Sequence, residues 1–297
     1  MLNLRHYGCA VALILTVSFG GCSSTSAPTV AKPQYQLHIA NLRPLEAANG
    51  AYVLWIRLIG DSAWYAIPLG ASSRSGDSLD FSGTYNLSQP IDSIASAYVS
   101  IEPSSIPAKP TSMLMTGTFN ARSGSALLSA TNPGGVGNYA LAQTTVTFTT
   151  KSSDTNLAKY EFYLMRFIHG IPEASSANMP IAPMGWSYGL WVLDSNFYPI
   201  HQFFYGAFTN PDSACAAPTN ADYSLPGGYN PAPLNDAGAK LEVTLEPSFG
   251  VASNKASGPS PLIILWGQLS EFIGLGDTLA LQNVWSSSAP SGILTIH

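Results

Sequence analysis

Residues 76–79, Gly-Asp-Ser-Leu, set a serine directly after an acid, an order that suits a serine nucleophile in acyl transfer. For Ser78 to act, an imidazole must take the Oγ proton, a carboxylate must orient that imidazole, and backbone N–H groups must hold the oxyanion. The preceding stretch, Ala-Ser-Ser-Arg-Ser at 71–75, is polar and does not read as a buried parallel strand. No Asp-x-x-His occurs in the chain, and nothing predicts the helices that flank such a site. Ser78 is therefore expected to be a chance match.

Two glutamates offer acid–base chemistry. Val-Ser-Ile-Glu-Pro at 99–103 returns as Val-Thr-Leu-Glu-Pro at 243–247. Glu102 and Glu246 could serve as acid and base only if they converged. Strand alternation puts Val99 and Ile101 on one face and Ser100 and Glu102 on the other, with the same phase for Val243, Leu245, Thr244 and Glu246. Both carboxylates are predicted to face outward at a strand end. Pro103 and Pro247, lacking an N–H, stop the ladder there. The predicted role is structural, with each carboxylate accepting loop N–H groups.

The five histidines (His6, His38, His169, His201 and His297) are scattered without ligand spacing, and the three cysteines form no cluster. No metal or cofactor is expected. Aromatic density points elsewhere: Asn196–Phe208 holds six aromatics in thirteen residues, and Trp64 and Tyr65 fall in a matching hairpin earlier. A cleft lined by Trp64, Tyr65, Phe203 and Tyr205 would suit sugar rings or a partner surface. Trp55 and Trp191, set among aliphatic residues, read as core anchors.

The elements that must position these residues are strands. Only 10% of the 297 residues are charged, with 26 Gly and 22 Pro, and no segment sustains a 3.6-residue period. Short alternating runs broken by turn residues predict an all-β protein of sandwich type. The net charge of −5 leaves no basic footprint for nucleic acid.

Three landmarks recur in order. Tyr-x-Leu-Trp at 52–55 matches 188–191, an offset of 136 residues, and Glu102 matches Glu246, an offset of 144. Each Glu-Pro is followed by a loop and then an apolar strand carrying a glycine, 112–119 and 262–269. The extra eight residues fall in 210–233, where a surface loop can absorb them. The predicted organisation is a leader (1–21), a polar tether (22–33) and two tandem immunoglobulin-like sandwiches (34–150 and 151–297).

The leader carries Arg5 and His6, then the apolar run Cys9–Phe19, about half the length needed to span a bilayer. It ends in Phe-Gly-Gly-Cys-Ser-Ser, which resembles the lipobox of bacterial lipoproteins, although Phe19 stands where Leu is usual. The resemblance implies acylation of Cys22. Ser23 at the next position implies sorting to an outer membrane, with lipid as the anchor. Cys9 would then be lost with the leader, and Cys215 would remain as a free thiol.

The landmarks Tyr52, Leu54, Trp55, Glu102, Pro103, Pro110, Thr111 and Gly117 carry a second resemblance. It extends to Gly185, Trp186, Tyr188, Leu190, Trp191, Gly206, Phe208, Pro226, Gly227, Glu246 and Pro247 in the second copy. They resemble the extracytoplasmic C-terminal domain of anti-sigma-K factors, a β-sandwich, here in tandem within a lipoprotein. The family's cytoplasmic sigma-binding helices and transmembrane helix have no counterpart in the sequence, which argues against direct sigma-factor binding. The expectation is a non-enzymatic, envelope-anchored interaction or sensory module whose partner is an envelope protein or glycan. A role in an extracytoplasmic anti-sigma system and carbohydrate binding are alternatives. An esterase of the GDSL type acting through Ser78 is the weakest.

Overall fold

A computed structural model describes residues 33–45, 50–86, 89–150, 160–168, 171–173, 179–193, 199–206, 238–251, 258–269 and 278–297. Of residues 147–150, 160–168, 171–173 and 199–206 it describes the backbone. The leader, the tether with Cys22, and Cys215 lie outside the described residues. The chain is all-β, as its alternation predicts.

The first half supplies β1 (Gln34–Ala40), β2 (Ala51–Leu58), β3 (Tyr65–Pro68), β4 (Ser73–Ser75), β5 (Ser78–Thr84), β6 (Ile94–Glu102), β7 (Met113–Asn120), β8 (Ser125–Ser129) and β9 (Thr145–Thr150). The second supplies β10 (Tyr160–Ile168), β11 (Ile171–Glu173), β12 (Trp186–Leu193), β13 (Pro199–Gly206), β14 (Lys240–Pro247), β15 (Ile263–Gln268), β16 (Thr278–Ala280), β17 (Gln282–Asn283) and β18 (Ser291–Ile296). Among the described residues, helix is confined to a 3-10 turn at Ile91–Ser93 and two single turns, α1 (Ser248–Val251) and α2 (Trp285–Ser288).

Nine strands form one sheet in the order β3-β2-β6-β7-β8-β18-β1-β5-β4. Five more run β13-β12-β14-β15-β17, and four run β11-β10-β9-β16. The sheets do not divide at residue 150. β18, from the end of the chain, fills the place between β8 and β1, while β9, from the first half, lies between β16 and β10. Lys32–His297 forms one compact unit, and most of the buried apolar residues among the described ones form one cluster that draws on both halves.

Period-2 patterning explains the large sheet. On β1, Tyr35, Leu37 and Ile39 are buried while Gln34, Gln36 and His38 are exposed. Leu294 and Ile296 of β18 extend that apolar face, and each such burial contributes roughly 1.5–3 kcal/mol. The sheet rolls so that Tyr52 of β2 meets Phe81 of β5 edge-on, ring centroids 6.1 Å apart.

The recurring landmarks occupy recurring registers. Tyr52 pairs with Ile101 and Trp55 with Tyr98; Tyr188 pairs with Leu245 and Trp191 with Glu242. A bulge falls between Val99 and Ser100 of β6, and another between Val243 and Thr244 of β14. Tyr52 and Tyr188 also donate equivalent hydrogen bonds, to the carbonyls of Arg43 and Pro180. Burial holds both phenols protonated by raising their pKa.

Candidate functional site

The Glu-Pro corners lie on the predicted strand face, but that face is covered, which corrects the expectation of outward carboxylates. Glu102 is fully buried and Glu246 is 5% exposed. Glu102 accepts the Thr111 N–H at 2.8 Å and the Thr111 hydroxyl, because the loop after Pro103 folds back over the strand end. Beside it, the Trp55 indole donates to Ser100 Oγ at 2.7 Å. In the second corner the Trp191 indole donates directly to Glu246 Oε1 at 2.8 Å. The Ser260 N–H donates to the same oxygen at 3.0 Å, and so does the Thr244 hydroxyl. Burial raises the Glu246 pKa, and these three bonds oppose the rise. The predicted acceptance of loop N–H groups holds at both corners, and Pro103 and Pro247 end their strands there.

Trp55 and Trp191 are buried, yet neither belongs to the main apolar cluster. They pack on the opposite face of the sheet, where each meets its glutamate corner.

One residue that the pattern did not single out is Glu242, four positions before Glu246 on the same face of β14. It is 5% exposed, and its Oε2 has no hydrogen-bond partner. Its cross-strand neighbours are Trp191 on β12 and Trp266 on β15, and Trp266 in turn faces the exposed Gln282 of β17. Burial raises the Glu242 pKa; Arg43 and Lys240 pull it down, and the Glu246 charge adds to the rise. The first half has Tyr98 at the matching register, so the aligned landmarks carried no sign of this carboxyl.

The proposed aromatic contact residues divide. Trp64 and Tyr65 are half-buried and occupied by neighbours. Trp64 meets Tyr98 and Trp55 edge-on at 4.9 and 6.2 Å, with the Arg57 guanidinium 5.1 Å from its ring. The Tyr65 hydroxyl donates to Asp61 at 2.9 Å. Phe203 and Tyr205 lie on β13, paired against β12, and their side chains are outside the described residues.

Ser78 opens the antiparallel strand β5 after the Gly76-Asp77 turn, with no helix behind it. A structural surprise is its neighbour pair. His38 Nδ1 lies 2.7 Å from Asp80 Oδ1, with both side chains about half exposed. The pair sits on adjacent strands, two register positions from Ala40 and Ser78, which face each other. The arrangement is a solvent-exposed hydrogen-bonded pair on an open sheet, without the enclosed strand-to-helix turn that an activated serine needs. Among the described residues, no three His, Cys, Asp or Glu side chains gather as a metal site. No helix among them is long and apolar enough to cross a membrane.

No protein-family profile, characterised protein or solved structure matches this chain.

Proposed function

We propose that the protein is a lipid-anchored lipoprotein of the bacterial cell envelope, attached through Cys22 and acting as a non-enzymatic interaction or sensory module. The observation that carries this reading is the Arg5–Phe19 leader closing on Gly20-Gly21-Cys22-Ser23, ahead of a polar tether and an all-β body. In this reading the two halves are immunoglobulin-like units related to the anti-sigma-K extracytoplasmic domain, held off the membrane to meet an envelope protein. Labelled palmitate and the signal-peptidase inhibitor globomycin test the anchor. Label on the wild type, lost in Cys22→Ala together with globomycin-sensitive processing, supports it; unchanged processing in Cys22→Ala refutes it. Crosslinking from intact cells then reports the partner.

A second reading, ligand binding, draws on Glu242. The partly exposed Trp266 indole, cross-strand from the Glu242 carboxyl with its unpartnered Oε2, is a chemistry suited to a saccharide. Glycan-array binding that is lost in both Glu242→Gln and Trp266→Ala supports it, and an array signal unchanged in both removes it.

A further inference from the structure

The correspondence between the halves extends through most strands of the sheets. β2, β3 and β6 map onto β12, β13 and β14 in register: Leu54 pairs with Val99 and Ile67 as Leu190 pairs with Val243 and Phe203. β7 maps onto β15, with Ala97 opposite Gly117 and Leu241 opposite Gly267. β8 maps onto β16 and β17 taken together: Thr116 faces Ser129 as Trp266 faces Gln282.

Beyond that strand the correspondence crosses the chain. β8 pairs next with β18, Leu127 opposite Ile293; β16 pairs next with β9, Ala280 opposite Thr145. β18 then pairs with β1, Leu294 opposite Leu37, and β9 with β10, Val146 opposite Leu164. Val146 and Leu294 therefore occupy equivalent places, and both are fully buried. Each half has given its last strand to the other.

The two crossing segments meet on the way. Asn283 donates to the carbonyls of Tyr139 and Ala142, both at 2.8 Å, and the Leu281 N–H donates to Thr144. Tyr139 and Trp285 stack edge-on with centroids 5.0 Å apart, and the Ala130 N–H donates to Pro290. Reciprocal exchange of one terminal strand, with the connectors crossing at one place, is the geometry of a strand-swapped dimer.

We infer that the chain is a covalently joined form of such a dimer, and that the slot between β8 and β1 accepts the terminal strand of a second copy. The slot is built for a strand that arrives from outside its own half. Its occupant is joined to the preceding strands by a tether, the single turn α2 and the Ala289-Pro290 step. Trading β18 between two copies restores every pairing in both; only the tether changes path. The balance between closed and exchanged forms then rests on concentration and on the tether, the condition under which swapping is a low-cost route to association.

Two single substitutions read the exchange directly. Gln34 and His297 exchange both backbone bonds, at 3.1 and 2.9 Å, so Ala40 and Ser291, six residues along each strand, form the same type of pair. Its Cα separation of about 5.5 Å is within disulfide range. Full-length Ala40→Cys and Ser291→Cys chains, each with Cys9, Cys22 and Cys215 changed to Ser, are mixed at rising concentration and oxidised. The result expected is a reducible species of twice the chain mass that grows with concentration, with the two engineered positions linked in its peptide map. The double variant in one chain is the folding control and should close its bond internally. If it closes while the mixture stays monomeric at every concentration, the exchange is refuted. If it fails to close, β18 does not lie beside β1 and the inference falls with the geometry.

Discussion

Glu242→Gln tests the reading of β14 through the pH dependence of stability. In the folded chain, burial holds the carboxyls of Glu242 and Glu246 above the ordinary value of 4.5, and the Glu246 charge raises the Glu242 pKa further. The sign follows from proton counting. Above pH 4.5 the unfolded chain releases these protons while the folded chain keeps them. Stability is therefore full at and below the unfolded pKa and falls as pH rises toward the folded values. Each carboxyl contributes a slope of up to about 1.4 kcal/mol per pH unit within that window. Wild type should lose stability from pH 4.5 upward with the slope of two groups. Glu242→Gln should remove one group's share, and adding Glu246→Gln should leave the profile close to flat. Glu246→Gln keeps a carbonyl oxygen for the Trp191, Ser260 and Thr244 donors, so the loss of charge is separated from the loss of the acceptor. Urea unfolding followed by tryptophan fluorescence at half-unit steps from pH 4 to 8 is the assay. A wild-type profile that rises over this range, or a Glu242→Gln profile parallel to wild type, refutes the reasoning.

Other outcomes follow from packing. Trp285 is 1% exposed against Tyr139, and its indole nitrogen has no partner. Trp285→Ala should cost about 3–5 kcal/mol in urea unfolding, whereas Trp285→Phe, which loses no hydrogen bond, should cost much less. Gly185 has φ +87°, and a Cβ there would lie 1.9 Å from the Thr111 carbonyl oxygen. Gly185→Ala should lower stability by at least about 1–3 kcal/mol, seen as a reduced urea midpoint, because backbone rather than a side chain must move. Removal of the His38–Asp80 pair by Asp80→Asn should change stability by no more than about 1 kcal/mol, and that difference should vanish in 1 M salt.

Much of the architecture was legible because strands advertise their faces. Tyr52, Trp55 and Glu102 kept their order in Tyr188, Trp191 and Glu246, and the structure sets both triplets in the same registers despite the eight extra residues between the second Trp and Glu. The polar members of the alternation misled on one point. Ser100, Glu102, Thr244 and Glu246 look like solvent-facing positions, yet all four are buried. Alternation reports which residues share a face; it carries no information about a loop such as Thr111 folding back to cover that face. Glu242 was invisible because it breaks the repeat, standing where the first half has Tyr98. The traded strands were invisible for the opposite reason. Val146 and Leu294 sit in short Thr-containing strands that each put apolar residues on one face, so local pattern does not assign either strand to its slot, and only the long-range connection distinguishes them.

The place of β18 beside β1 sets a timetable for the chain. β1 begins at Gln34, and the strand that lies against it ends at Ile296, so the first sheet cannot close until both halves, through β18, have been made. Such a molecule cannot mature one half at a time during synthesis; it is committed late and all together. The pairing also acts as a check on completeness, because a chain cut short before β18 lacks a strand in its first sheet.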